Sequence, residues 1–147
     1  MAGRPRSQVI DETQVGVYHV WNRCIRKMFL FGADRHSGRD YTSRKAWCQE
    51  RLQELSAIFA VDACVWAMLS NHFHLIVRNR PDLAQQFSDE EVALRWWYLY
   101  PERREKDGRP APPTALEIRS IVETPGRIAV LRKRLSSISW FMKSLEN

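Results

Sequence analysis

Alternating apolar and polar positions predict three short β-strands in the first half of the chain. Residues 15–23 are rich in β-branched and aromatic side chains, as strands are. Two more apolar runs, 61–69 and 72–78, are separated only by Ser70 and Asn71, a pair that predicts a tight two-residue turn. These two runs are therefore expected to form an antiparallel hairpin.

The turn length also predicts which residues of the hairpin face each other. Leu69 is expected opposite His72, and Ala67 opposite His74, because a two-residue turn fixes the register of the two strands. The small side chain of Ala67 would leave room beside the imidazole of His74. A short apolar patch at 28–31 is a candidate for a further strand.

Apolar positions spaced three and four residues apart predict helices in the rest of the chain. One helix is expected over 41–59, and another over 82–100, where Ser88 and Glu91 have the spacing of a capping box. The apolar stripe of the first helix consists of Tyr41, Cys48, Leu52, Leu55 and Phe59.

The last third of the chain combines a Pro-rich connection with the most periodic segment of the sequence. Residues 101–113 end in Gly-Arg-Pro-Ala-Pro-Pro, which excludes a helix and a central strand. A short helix is expected near 114–123, and a long amphipathic helix over 125–147 with Pro125 at its start. The apolar stripe of this last helix consists of Ile128, Leu131, Leu135, Ile138, Met142 and Leu145.

The order strand, helix, strand, strand, helices predicts an α+β fold. Its antiparallel sheet would carry helices on one face, as in ferredoxin-like proteins. We expect a single domain over 1–147, with a loose N-terminus at 1–13 and an insertion-like helical region at 82–126. A full ferredoxin-like copy has one more strand after the last helix, so the sequence is expected to be truncated at its C-terminus.

Composition narrows the classes of protein to consider. The content of 44% hydrophobic and 27% charged residues is typical of globular domains, and no apolar run is long enough to cross a bilayer. The first residues lack the apolar segment of a secretory signal, so the cytoplasm is the expected location. A net charge of +6 and six Trp favour a nucleic-acid partner, although charge alone leaves a merely basic protein equally open.

His72 and His74 are the clearest candidates for chemistry. Alternate residues of a strand point to the same face, so the two imidazoles are expected side by side, with Phe73 on the opposite face. Such a pair can bind a divalent metal ion when further ligands are near, and His19 and Asn71 are candidates for a third or supporting contact. The alternative is that both histidines are structural.

Two stretches resemble the REP-associated tyrosine transposases, a branch of the single-tyrosine HUH nucleases, named for a His-hydrophobic-His motif. They are 18–23, Tyr-His-Val-Trp-Asn-Arg, and 68–77, Met-Leu-Ser-Asn-His-Phe-His-Leu-Ile-Val. The similarity covers 15–80 and resumes at 135–145, where the chain resembles the start of the family's catalytic helix. Residues 82–126 match no part of the family.

The resemblance implies a metal-dependent enzyme, a transposase that cleaves and rejoins single-stranded or hairpin DNA such as repetitive extragenic palindromes. The histidine pair, here His72 and His74, would hold Mg²⁺ or Mn²⁺ against the scissile phosphate. In the family a tyrosine then attacks phosphorus and forms a 5′-phosphotyrosine. Because no tyrosine follows Tyr100, we expect this chain to bind metal and DNA without forming the covalent intermediate.

Basic residues near the predicted strands and in the last helix are candidates for contacts with DNA phosphates. Trp21 shares a face with His19, but it is expected in the core. The candidate DNA contacts are Arg23, Arg26, Lys27, Arg78, Arg80, Arg132, Lys133 and Arg134.

Two other classes of protein stay open. One is a non-catalytic nucleic-acid-binding module, and the other is a ferredoxin-like domain unrelated to DNA.

Overall fold

The structure, a computed structural model, describes residue 5 and residues 9–23, 42–69 and 72–146. The described part contains three strands, β1 (Gly16–Arg23), β2 (Val61–Met68) and β3 (His72–Asn79). It also contains six helices: α1 (Thr42–Ile58), α2 (Pro81–Gln86), α3 (Asp89–Leu99), α4 (Ala115–Glu123), α5 (Arg127–Leu135) and α6 (Ile138–Glu146). The strand expected at 28–31 lies outside the described residues.

β3 is the central strand of an antiparallel sheet. It pairs with β1 on one side and with β2 on the other, so the strand order is β1-β3-β2. At the turn, the backbone N–H of Leu69 donates to the carbonyl of His72 at 2.8 Å, and Ala67 lies opposite His74. The α+β class and the predicted hairpin register are therefore confirmed.

Helices cover one face of this sheet. The side chains of Val20, Phe73, Leu75 and Val77 are buried there, in a single core shared with α1 and α6. On β3 the residues that alternate with them are half-buried or exposed. We call this second surface the open face; its described side chains are Val17, His19, Trp21, Asp62, Val65, Ala67, His72, His74, Ile76 and Arg78.

A β-bulge in β2 decides which of its residues reach the open face. The register shifts between Ala63 and Val65, so Ala63 lies opposite Val77 and Val65 lies opposite Ile76. Cys64 is the extra residue, and an extra residue moves the following side chains to the other face of a sheet. As a result Val65 joins Ala67 on the open face.

The segment predicted to be helical over 82–100 contains two helices, α2 and α3, and the second begins at the predicted cap, Ser88. Pro81 opens α2, and Ser88 caps α3 by accepting a hydrogen bond from the N–H of Glu91 at 3.1 Å. A capping side chain replaces the hydrogen bond that a continuous helix would make, so it marks a new helix start. Only half of the expected capping box forms, because the Glu91 carboxylate pairs with Arg95 at 2.9 Å.

The single amphipathic helix predicted over 125–147 is also two helices, and it does not begin at Pro125. Ser136 ends α5, and the Ser137 hydroxyl oxygen accepts a hydrogen bond from the N–H of Trp140, 3.4 Å away, at the start of α6. Serine side chains compete with the helical hydrogen bonds of the backbone, which explains the break. The predicted apolar positions Leu131, Leu135, Ile138, Met142 and Leu145 are nevertheless all buried.

The loose N-terminus predicted for 1–13 does not extend to Ile10–Thr13. Ile10 packs against the core, and Glu12 accepts a hydrogen bond from the Ser137 hydroxyl at 2.9 Å. These contacts tie the segment before β1 to the two C-terminal helices.

The Pro-rich connection and the helix after it follow the prediction. Residues 101–113 contain no helix, and α4 begins with a complete capping box between Thr114 and Glu117. Arg103 reaches across the connection and pairs with the Glu117 carboxylate at 2.6 Å. The connection is therefore held to the helix that follows it.

Within the described residues, each helix is too short or too polar to span a membrane.

Candidate metal and nucleic-acid site

His72 and His74 lie side by side on the open face. Their ring centroids are 6.3 Å apart, both residues are half-buried, and Phe73 between them is buried on the helical side. The period-two alternation of a strand produces this arrangement. Ala67, opposite His74, adds only a methyl group to the surface beside that ring.

His19 joins the pair from β1. Its Nε2 lies 3.0 Å from Nδ1 of His74, and the two rings are stacked with centroids 5.2 Å apart. A hydrogen bond to one ring nitrogen fixes the tautomer and the orientation of a metal-binding imidazole. The structure thus brings His19 to the place expected for a supporting contact.

Among the described residues, His72 and His74 are two candidate ligands for a metal ion. Within these residues, no group of three His, Cys, Asp or Glu side chains is arranged to hold a metal. With His19 engaging Nδ1 of His74, Nε2 is the remaining donor atom of that ring. Water and phosphate oxygens can fill the other positions of a divalent ion, and imidazole ligands favour a transition-metal ion over Mg²⁺.

Trp21 is exposed on the open face, so the prediction that it belongs to the core is wrong. It is 55% exposed and lies opposite His74 in the sheet register. Its ring centroid is 6.0 Å from that of His72 and 6.4 Å from that of His74. Alternation correctly placed Trp21 on the His19 face, but it could not show that the described helices pack against the other face.

Arg78 and Arg80 lie at the other end of β3 and are engaged by carboxylates. Arg78 donates to Asp62 at 2.8 Å, and Arg80 donates to Asp82 at 3.0 Å. The strand rises about 3.3 Å per residue, which puts Arg78 about 20 Å from His72 along β3. Asp62, which the sequence analysis did not single out, therefore competes with a phosphate for Arg78.

Among the described candidate cations, Arg23 lies on β1 opposite His72 in the register. Arg26, Lys27 and Asn71 lie outside the described residues.

Arg132 has a structural position that the sequence did not predict. Its side chain is 14% exposed, and its guanidinium donates to the carbonyls of Ala84 and Phe87 and to the carboxylate of Asp89 at 2.8 Å. These groups lie at the end of α2 and the start of α3. The Arg132 guanidinium therefore already has three partners within the protein, and a contact with DNA stays a prediction for this residue.

Lys133 and Arg134 also lie on α5, in the helical layer and not beside the histidines. The Arg134 guanidinium stacks over the ring of Trp140 at 4.3 Å, whereas Lys133 is exposed. The predicted cluster of three cations is thus divided between different environments.

Of the three described tyrosines, none lies on the open face. Tyr18 packs against the core opposite Val77, on the helical side of β1. Tyr98 lies on α3, and Tyr100 packs against the rings of Trp96 and Trp140. Tyr41 lies outside the described residues.

A groove of about 680 Å³ lies between α3, α4 and the Pro-rich connection, away from the histidines. Its lining includes Leu94, Tyr98, Ile118 and Val122, and it shares no residue with the open face. The open face is the candidate site because of its chemistry and not because of its depth.

No protein-family model matches the chain, and neither a curated protein nor a solved structure is significantly similar to it.

Proposed function

We propose that the open face binds a divalent metal ion together with single-stranded or hairpin DNA, in the manner of the HUH transposases that the sequence resembles. The histidine cluster carries the proposal: His72 and His74 stand side by side, and His19 contacts His74. Histidines that serve stability alone are typically buried. Here His19 is exposed, His72 and His74 are half-buried, and the three rings meet on the face that the described helices leave uncovered.

The strand order supports a ferredoxin-like fold for this site. In such folds a strand, a helix and a hairpin produce a sheet in which the second hairpin strand lies between the other two. The order β1-β3-β2, with α1 between β1 and β2, has that arrangement. A further strand of a ferredoxin-like sheet would pair beside β1.

Each residue of the cluster has one role in the proposal. His72 and His74 hold the ion, and His19 orients the ring of His74. The ion, when bound, polarises a phosphate oxygen as a Lewis acid. Arg23 and Arg78 would neutralise phosphates of a strand lying along β3.

We further propose that these 147 residues bind DNA without becoming covalently attached to it. A nucleophilic hydroxyl must come within about 3–3.5 Å of the atom that it attacks. Tyr18, Tyr98 and Tyr100 lie on the helical side of the sheet, so the sheet separates them from the histidines. Their positions also favour a second candidate function, a non-catalytic nucleic-acid-binding module.

A labelled DNA hairpin with a single-stranded flank tests the proposal. The Kd is measured with Mn²⁺, with Mg²⁺ and with a chelator, for the wild type and for the double variant His72→Ala/His74→Ala. We expect metal to tighten binding by the wild type and to have no effect on the double variant. Asp107→Asn, a carboxylate change in the 101–113 connection, should behave like the wild type.

Each other outcome has a clear meaning. Absence of hairpin binding by the wild type would contradict the proposed function. Binding that is independent of metal and unchanged in the double variant would favour the non-catalytic module. A covalent protein–DNA adduct on a denaturing gel would contradict the proposal that no phosphotyrosine forms.

A further inference from the structure

Trp21 has an unusual environment for a tryptophan. An indole ring is among the largest apolar groups in a protein, and Trp is highly buried on average. Trp21 is 55% exposed beside the histidine cluster, and Val17 and Val65, farther along the same face, are 62% and 60% exposed. The side chain of Trp21 is therefore accessible to a ligand.

The ring of Trp21 is closer to parallel with that of His74 than with that of His72, from which it is tilted by 50°. The plane of its ring is 25° from that of His74, and His74 is in turn 13° from His19. The indole is therefore a flat aromatic surface directly beside the proposed metal ligands. A flat π-system with one accessible side binds other flat π-systems by stacking.

We propose that Trp21 is a stacking residue, on which one unpaired nucleobase of the bound DNA lies beside the histidine pair. This inference rests on the proposed function, and it adds a reason for the choice of single-stranded over duplex DNA. In a duplex both faces of each base are covered by neighbouring bases, so only an unstacked base can lie on the indole ring. Because every base has a π-face, the contact tolerates any sequence.

The net charge agrees with this ligand. The chain carries +6, and Arg23 and Arg78 lie on β1 and β3, the strands that carry Trp21 and the histidines. A nucleotide brings both a base for the aromatic surface and a phosphate for a cation or a metal ion. An apolar peptide would contact the indole ring, but it carries no anionic group for a cation or a metal ion on the same face.

Substitution of Trp21 tests the inference in the full 147-residue chain. We expect Trp21→Ala to raise the Kd for a hairpin with a single-stranded flank by about 10- to 100-fold, the range for loss of one stacked base. Trp21→Phe should raise the Kd by a smaller factor, because phenylalanine retains an aromatic ring. Trp47→Ala is the matched control, since Trp47 is 52% exposed on α1, and it should leave the Kd unchanged.

A scan with abasic nucleotides shows whether the contact is direct. One abasic position in the flank should weaken binding by the wild type and have little further effect on Trp21→Ala, because the two changes remove the same contact. Circular dichroism of Trp21→Ala and Trp21→Phe confirms that both variants fold. If Trp21→Ala does not fold, Trp21→Leu, which removes the aromatic ring and retains apolar bulk, takes its place in the same scan.

The outcomes separate this inference from the proposed function. Wild-type binding that Trp21→Ala leaves unchanged would overturn stacking and retain the proposed function. If an abasic position weakens binding equally in the wild type and in Trp21→Ala, the stacking proposal is also overturned. If the wild type binds no hairpin, both proposals fail.

Discussion

Asn79 holds the start of β1 with both ends of its side-chain amide. The side chain is fully buried, its Nδ2 donates to the carbonyl of Gln14 at 2.9 Å, and its Oδ1 accepts from the N–H of Gly16 at 2.8 Å. One residue at the end of β3 thus fixes the backbone that leads into the strand carrying His19 and Trp21.

Replacement of Asn79 by Ala should destabilise the protein by about 2–4 kcal/mol, because two backbone groups would lose their buried partner. Urea unfolding followed by circular dichroism measures the change. Gln14→Ala is the control and should have little effect, since Asn79 bonds the main-chain carbonyl of that residue. An Asn79→Ala variant as stable as the wild type would show that water replaces the amide.

Single residues of the site could be predicted where strand period alone decides their position. The shared face of His72 and His74 follows from alternation alone. The position of His19 on that face depends on the register between β1 and β3, which no turn length fixes. The exposure of Trp21 does not follow from alternation, because alternation groups side chains without showing which group the helices cover. The role of Arg132 could not be predicted either, because its carbonyl partners lie 45 and 48 residues away in the sequence.

At the scale of elements, two arginines cap the C-termini of helices that precede them in the chain. Arg95 of α3 donates to the carbonyls of Ala57 and Ile58, the last turn of α1, at 3.0 and 2.7 Å. Arg132 of α5 does the same at the end of α2. Neither α1 nor α2 has a basic residue in its own last turn, so the positive charge that a helix C-terminus favours comes from another helix.

The start of α4 depends on an ionised Glu117. The hydrogen bond from Arg103, together with the backbone N–H of Thr114, lowers the pKa of Glu117 from 4.5 to about 2. A carboxylate whose pKa is lower in the folded state stabilises that state above its unfolded pKa. This contribution is therefore complete above about pH 4.5 and is lost as the pH falls toward 2.

We expect Glu117→Gln to be less stable than the wild type at pH 7 and nearly as stable at pH 2. Chemical unfolding at several pH values measures the difference in unfolding free energy. Arg103→Gln should reduce the change in unfolding free energy between pH 7 and pH 2. Arg104→Gln should leave that change as it is, because the Arg104 guanidinium bonds the Gly108 carbonyl and not Glu117. Parallel pH curves for the wild type and Glu117→Gln would contradict this account.

The existence of most elements could be predicted from periodicity, but their ends could not. Apolar spacing identified five buried residues of 125–147 across the break between α5 and α6, whereas Ile128 of the predicted stripe is half-buried and Phe141, outside it, is fully buried. The break depends on the hydroxyls of Ser136 and Ser137, whose competition with the backbone is decided by tertiary contacts such as the bond to Glu12. The bulge at Cys64 is similarly invisible in the alternation of β2.

At the scale of the molecule, charge is unevenly distributed along the chain. Residues 82–126 contain nine acidic and six basic residues, whereas the rest of the chain contains eight acidic and seventeen basic ones. The helical region between β3 and α5 is thus the acidic part of a basic protein. An anionic partner would be repelled from that region and attracted to the remainder.

DNA binding by the open face should weaken steeply with salt, because each neutralised phosphate releases counterions. A plot of log Kobs against log salt concentration should be linear, and Arg78→Gln should reduce its slope by about 0.7, the value for one phosphate on a single strand. Fluorescence anisotropy between 50 and 200 mM salt, concentrations at which phosphate contacts are strongly salt-dependent, measures the slope.

Arg109→Gln is the matched control for this experiment. Arg109 lies in the acidic region and its side chain is 84% exposed, so its loss should leave both the Kd and the slope unchanged. Equal effects of the two substitutions would mean that net charge, and not the open face, determines binding.

The hydrogen bond between Glu12 and Ser137 joins residues that are 125 positions apart. Contacts so distant in sequence require the greatest loss of chain entropy, so they form after local structure. We expect the segment around Glu12 to join the fold late and to have little influence on how fast the protein folds. Its contacts would act on the rate of unfolding instead, so this short stretch before β1 would set the lifetime of the folded state.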